Sequence, residues 1–150
     1  MPTLLLRPAL LAALLLSGCA ATQGLRPFAS DGCSLFPDRA PLGKTDWCGC
    51  CLAHDLAYWK GGTEEERLQA DRQLRDCVVA KTGDKALAET MLAGVRAGGA
   101  PQLGTPFRWG YGWPRGRGYE ALSEAEQLKA AEMEGSYRAG KAQACGRSPE

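Results

Sequence analysis

The sequence predicts a mainly α-helical domain stabilised by disulfides, with two antiparallel helices at its centre and further helices toward the C-terminus. From Asp46 to Gly98 apolar residues recur at helical spacing between capping and glycine signals. With Cys19 at the end of the apolar N-terminal segment set aside, six of the seven cysteines remain, an even number that favours a disulfide framework in an exported chain. The Gly-, Pro- and Asp-rich loop from Asp31 to Asp46 lacks periodic apolar residues, so something other than periodic burial must hold it.

Export is read from residues 1–18. Arg7 is the only charged side chain there, Ala9 to Leu16 is apolar, and Leu16-Ser17-Gly18-Cys19 follows. The run is short for a bilayer span and ends in small residues, as a cleaved signal peptide does. Leu-Ser-Gly-Cys resembles the bacterial lipobox, which implies cleavage before Cys19 and lipidation of its thiol. An ordinary signal peptide with an incidental cysteine is the other reading. Acylation of Cys19 would anchor the chain to a membrane without a transmembrane helix. Ala20 resembles the residue after the cysteine in lipoproteins sent to an outer membrane, which implies the periplasmic face of a bacterial envelope. Residues 19–30 then form a lipidated tether and 31–150 the domain. Cleavage removes Arg7 and brings the formal charge from +1 to near zero. Arg and Lys are scattered and no nucleic-acid-binding motif is present, so nucleic acid is not expected as a partner.

Asp46 or Thr45 is placed to cap a first helix running to about Lys60, which Gly61-Gly62 ends. Thr63 and Glu66 form a capping box for a second helix through about Ala80, and the short connection makes the pair an antiparallel hairpin. Gly83-Asp84 opens a third helix with Leu87, Met91, Leu92 and Val95 as its apolar stripe, closed by Gly98-Gly99. Residues 100–119 are irregular, with Phe107, Trp109, Tyr111 and Trp113 alternating against polar residues and glycine. They read as a loop or hairpin packed on the helices in preference to an interfacial flap. Ser123 and Glu126 cap a last, mainly polar helix ending near Gly140.

The chemistry-bearing stretch is Cys50-Cys51-Leu-Ala-His54-Asp55-Leu-Ala-Tyr58, which holds the only histidine of the chain. On a helix Cys50, His54 and Tyr58 stack on one side, while Asp55 lies about 100° around from His54. The two therefore serve different partners. On the second helix Leu68, Asp71, Leu74, Cys77 and Val78 share the face that must be buried. A carboxylate there needs a partner, because an unpaired buried charge is costly. With no other histidine, that partner is His54. An aspartate on one ring nitrogen leaves the other as a general base, with water as the nucleophile. Asp55, facing the oxygen-rich Asp31–Asp46 loop, has the surroundings a calcium ion requires.

The pattern C-C-x-x-H-D-x-x-Y, followed by Asp and Cys on the next helix, resembles the secreted phospholipase A2 superfamily over residues 31–78. The resemblance implies that His54 is the general base, Asp71 the acid behind it, Tyr58 a tyrosine bonded to that acid, and Asp55 a calcium ligand. Asp31-Gly32-Cys33-Ser34 with Pro37-Asp38 is similar to the calcium loop of bacterial members, which implies Asp31 and the carbonyl of Gly32 as further ligands. The same resemblance implies disulfides Cys33–Cys51 and Cys50–Cys77, leaving Cys48 for Cys145. The glycine-rich calcium loop of the animal enzymes is absent, and the cysteines of one family bridge are replaced together by Ala57 and Ala70.

The activity implied is calcium-dependent hydrolysis of the sn-2 ester of a glycerophospholipid at a phospholipid membrane. An enzyme resident in its own cell's membrane also implies a restraint, an inhibitor or activator that the sequence does not name. One rival is a membrane-anchored, phospholipase-like binding scaffold without turnover, since resemblance does not establish activity. Another is zinc held by Cys48, Cys50 or Cys51 with His54, a spacing uncommon for zinc and a compartment that disfavours thiolates.

Overall fold

A computed structural model describes residues 24–42, 44–140 and Cys145. The expected signal peptide and lipidated Cys19 lie outside the described residues. Four helices follow in order: α1 (Cys48–Lys60), α2 (Glu64–Thr82), α3 (Lys85–Gly98) and α4 (Glu124–Ala139). Among the described residues the only β pairing outside helices is an isolated antiparallel bridge between Arg39 and Asp46. No described helix is long and apolar enough to cross a membrane.

Local signals account for the helix ends. Thr63 and Ser123 each accept from the amide three residues on, while Glu66 and Glu126 reach back to the cap amides, completing a capping box on α2 and on α4. Asp84 caps α3 by accepting from the Leu87 amide. α1 differs from expectation. Its cap residue is Trp47, which makes no side-chain cap bond, and the expected Asp46 sits one position earlier, accepting from Cys48 N–H at 2.8 Å. Trp47 is buried and its indole donates to the Pro37 carbonyl at 2.7 Å, so packing of the indole sets where the first turn begins. α2 runs slightly past Ala80, with the Thr82 hydroxyl bonded to the Val78 carbonyl.

α1 is the central element. One side of it carries Cys50 and Cys51 into a core with Leu74 and Val78 of α2 and Ala88 and Met91 of α3. The other side sends Leu56 and Trp59 into a second cluster with Leu25, Phe28, Trp113 and Ala130 of α4. Three disulfides, Cys33–Cys51, Cys50–Cys77 and Cys48–Cys145, tie the loop, α2 and the C-terminal region to α1. These are the pairings implied above, and closure of such loops contributes about 2–4 kcal/mol each. Cys50 near the start of α1 joins Cys77 near the end of α2, so the hairpin is antiparallel.

Residues 24–30 correct one expectation. Leu25 and Phe28 are buried, and Trp59 donates its indole N–H to the Arg26 carbonyl at 2.7 Å. The described part of the expected tether is therefore a strap packed on the core. The irregular segment 100–119 packs as a loop, with Trp109 donating to the Gly62 carbonyl at 2.8 Å and Trp113 to the Lys60 carbonyl at 2.6 Å. These indoles cover the α1–α2 turn. Gly110 approaches Gly61 so closely that a Cβ on Gly61, at φ 69°, would lie 2.8 Å from the Gly110 Cα.

A Cβ at Gly112 would lie 2.5 Å from both Leu25 Cδ1 and Trp59 Cδ1, whereas one at Gly135 of α4 meets nothing within 4 Å. Gly112→Ala is expected to lose about 1–3 kcal/mol and Gly135→Ala to gain about 0.5–1 kcal/mol, read by urea unfolding. Equal effects at the two positions would contradict the packing of the strap on Trp59.

Candidate active site

Asp71 of α2 has no solvent exposure, and the site is assembled around it. Its Oδ1 lies 3.1 Å from His54 Nε2 and accepts from the Tyr58 hydroxyl at 2.7 Å. Arg96 of α3 places Nε 2.6 Å from Oδ2, but the N–H is out of line, so the contact compensates charge without forming a hydrogen bond. Burial alone would raise the Asp71 carboxyl; the hydrogen bonds from His54 and Tyr58 outweigh it and hold the group below the ordinary range. Burial, then the charge of Asp71, pushes the Tyr58 phenol up, which keeps it a donor.

Tyr58 is itself held by Arg67, whose Nε donates to the phenol oxygen at 3.0 Å. Arg67 is buried although it lies on a helix rich in charge. Its Nη1 donates to the Tyr119 hydroxyl at 2.9 Å, and its Nη2 to the carbonyls of Val95 and Arg96 at 3.1 and 3.0 Å. Those carbonyls belong to the last turn of α3, where a cation is favoured, and the Val95 carbonyl also accepts from the Gly99 amide. Gly99, which follows, has no side chain for a steric reason: a Cβ there would lie 2.5 Å from the Tyr58 ring.

With Asp71 ionised, the bond to Nε2 assigns the proton to that nitrogen and leaves the lone pair on Nδ1. Nδ1 makes no hydrogen bond among the described residues. His54 lines a cavity of about 530 Å³ whose walls include Phe36, Leu74, Met91, Val95 and Phe107. The titratable side chains on those walls are His54, Asp55 and Tyr58. The α3 stripe thus serves core and cavity together.

Asp55 stands apart from the His54–Asp71 pair, as its helical offset requires. It is half-buried and accepts from the Ser30 hydroxyl at 2.6 Å. Burial pushes its carboxyl up to about 7; Ser30 opposes the shift, and the negative charge of Asp31 adds to it. Gly32 lines the same cavity at φ 83°, but its carbonyl accepts from the Ser34 amide at 3.2 Å. Asp31 is exposed, with Oδ1 accepting from the Ser34 hydroxyl at 2.6 Å. The structure therefore brings Asp55 and Gly32 to one cavity, with Asp31 near enough to act on Asp55 electrostatically. Among the described residues no group of three or more His, Cys, Asp or Glu is placed to hold a metal ion. The donors present are all oxygens, including a desolvated carboxylate beside a second acid. That chemistry fits a hard cation, which would need other backbone oxygens or water to complete a shell of six to eight. It does not fit zinc, because Cys48, Cys50 and Cys51 are all in disulfides.

Arg67, Arg96, Tyr119 and Ser30 were not singled out by the sequence. No family model matches the chain, nor does any curated protein or solved structure.

The raised Asp55 carboxyl carries a sign for stability. Below about pH 4 both folded and unfolded chains hold the proton; between there and about 7 only the folded chain does, so stability falls as pH rises, and above that the penalty is complete. In chelator, Asp55→Asn is expected to raise the unfolding midpoint more at about pH 8 than at about pH 5. An equal change at both would remove the buried carboxylate from this account.

Proposed function

We propose that the protein is a calcium-dependent hydrolase of phospholipase A2 type, cleaving the sn-2 ester of glycerophospholipids at the surface of a bacterial envelope membrane. The observation that carries the reading is the compensated Asp71–His54 pair on a mainly apolar cavity that also presents Asp55. The cavity accommodates an acyl chain. Nδ1 of His54 takes a proton from water as the water oxygen attacks the ester carbonyl, and Asp71 stabilises the imidazolium. Collapse of the tetrahedral intermediate returns that proton to the leaving alkoxide, giving a lysophospholipid and a fatty acid. Tyr58 acts by positioning Asp71.

When bound through Asp55, the Gly32 carbonyl and Asp31, calcium supplies positive charge to the ester oxygen and the phosphate. Ala57 and Ala70, where the resembled family has a bridge, pack into one cluster with Tyr58 and Trp109, which suits paired loss of that bridge. Leu35 supports an interfacial substrate. It lines the cavity, is 93% exposed and has φ 60°, a conformation that costs a leucine about 1–2 kcal/mol. An outward leucine at the cavity is suited to contact with a lipid surface. The engagement of Gly32 and Asp31 with Ser34 favours the second reading, a lipid-binding scaffold without turnover.

Fatty-acid release from mixed phospholipid vesicles separates the two. Wild-type protein is expected to need calcium, and His54→Gln to lose about 10²–10⁴-fold. Calcium is also expected to raise the unfolding midpoint of wild type and not of Asp55→Asn. Vesicle binding by folded, disulfide-bonded protein without any release would establish the scaffold.

A further inference from the structure

Three arginines, Arg26 on the strap and Arg108 and Arg115 on the irregular segment, line a second cavity of about 380 Å³. That volume corresponds to about a dozen waters. Neither Asp nor Glu lines it, and none of the three forms an ion pair with a carboxylate among the described residues. Arginine remains charged in proteins, so the cavity holds three cations without a counter-charge.

Their orientation is nevertheless built. Arg26 donates Nη2 to the Tyr111 carbonyl at 2.9 Å, and Arg115 donates Nη2 to the Gly104 carbonyl at 2.9 Å. Arg108, only 4% exposed, donates Nη1 to the Gly110 carbonyl and Nη2 to the Trp113 carbonyl, both at 2.8 Å. Carbonyl dipoles fix where the guanidiniums lie without neutralising them. Burial first, then the charges of Arg115 and Arg26, pull Arg108 below the ordinary arginine value, as expected of like charges around one space. Arg26 and Arg115 are exposed, so water screens part of this repulsion, and an anion would relieve what acts on the buried Arg108.

We propose that this cavity binds a phosphate group, either free phosphate or the headgroup of an anionic phospholipid. The carbonyls occupy only part of the five N–H donors each guanidinium carries, Arg26 least of all, and charge-assisted bonds from the remaining donors suit the several oxygens of a phosphate. The proposal does not depend on whether His54 activates water.

The test is calorimetric titration of the full, disulfide-bonded chain with inorganic phosphate at constant ionic strength, with chloride as reference. Saturable binding is expected, weakened at least about tenfold in Arg26→Gln/Arg115→Gln, both exposed residues whose loss leaves the core intact. Arg72→Gln/Lys85→Gln removes the same charge elsewhere and is expected to leave affinity unchanged. Competition between inorganic phosphate and vesicles carrying a phosphomonoester lipid would identify the headgroup as the source; phosphate binding without competition would identify free phosphate. Absence of saturable binding to either probe, or equal weakening in both double variants, overturns the proposal.

Discussion

A carboxylate with no access to water is the constraint on which the arrangement of α1, α2 and α3 depends. Asp71 is held ionised, and an isolated buried carboxylate would cost several kcal/mol or take up a proton. Each neighbour that prevents this comes from another helix: His54 and Tyr58 from α1, Arg96 from α3. The helices must therefore keep a register that delivers all three groups to one point. The Gly61-Gly62 turn, the Cys50–Cys77 bridge and the Asp84 cap each hold part of that register.

Arg67 links this centre to the periphery. By bonding Tyr58, Tyr119 and the last carbonyls of α3 at once, it makes the position of the Asp71 donor depend on the irregular segment and on the end of α3. Gly99 then lets the chain leave α3 against the Tyr58 ring. The same residues that stabilise a buried charge thus assign the histidine tautomer and close one wall of the apolar cavity. Fold stability and the proposed chemistry draw on one network, so a substitution that loosens it acts on both.

The parts legible in sequence were those whose cause is local or whose partner is unique. The capping boxes at Thr63 and Ser123 are complete within four residues, and they formed where expected. His54 and Asp71 were paired on the ground that a buried acid faced a chain with a single imidazole, and the two side chains do meet. Arg67 was hidden because an arginine on a charged helix ordinarily points to water, and its non-helical partner Tyr119 lies 52 residues away; Arg96 was hidden because its partner Asp71 is on another helix. The strap was hidden for a related reason. Leu25 and Phe28 show no period that distinguishes a packed segment from a tether, and their burial depends on Trp59 and Trp113.

Two sets of charged groups without an ion pair lie on opposite sides of Tyr111. Asp31 and Asp55 lie toward the apolar cavity, while Arg26, Arg108 and Arg115 surround the other. Tyr111 borders both groups: it lines the arginine cavity, its hydroxyl donates to the Ala29 carbonyl at 2.7 Å, and burial and then the charges of Asp55 and Asp31 push its phenol up. Folding would gain from joining these opposite charges, yet the strap and the Tyr111 ring hold them on separate surfaces. External counter-ions, such as the cation and the anion proposed above, would relieve a separation of this kind. The strap, anchored through the Trp59 bond to Arg26 and placing Ser30 on Asp55, is the element that holds the two sets of charges apart.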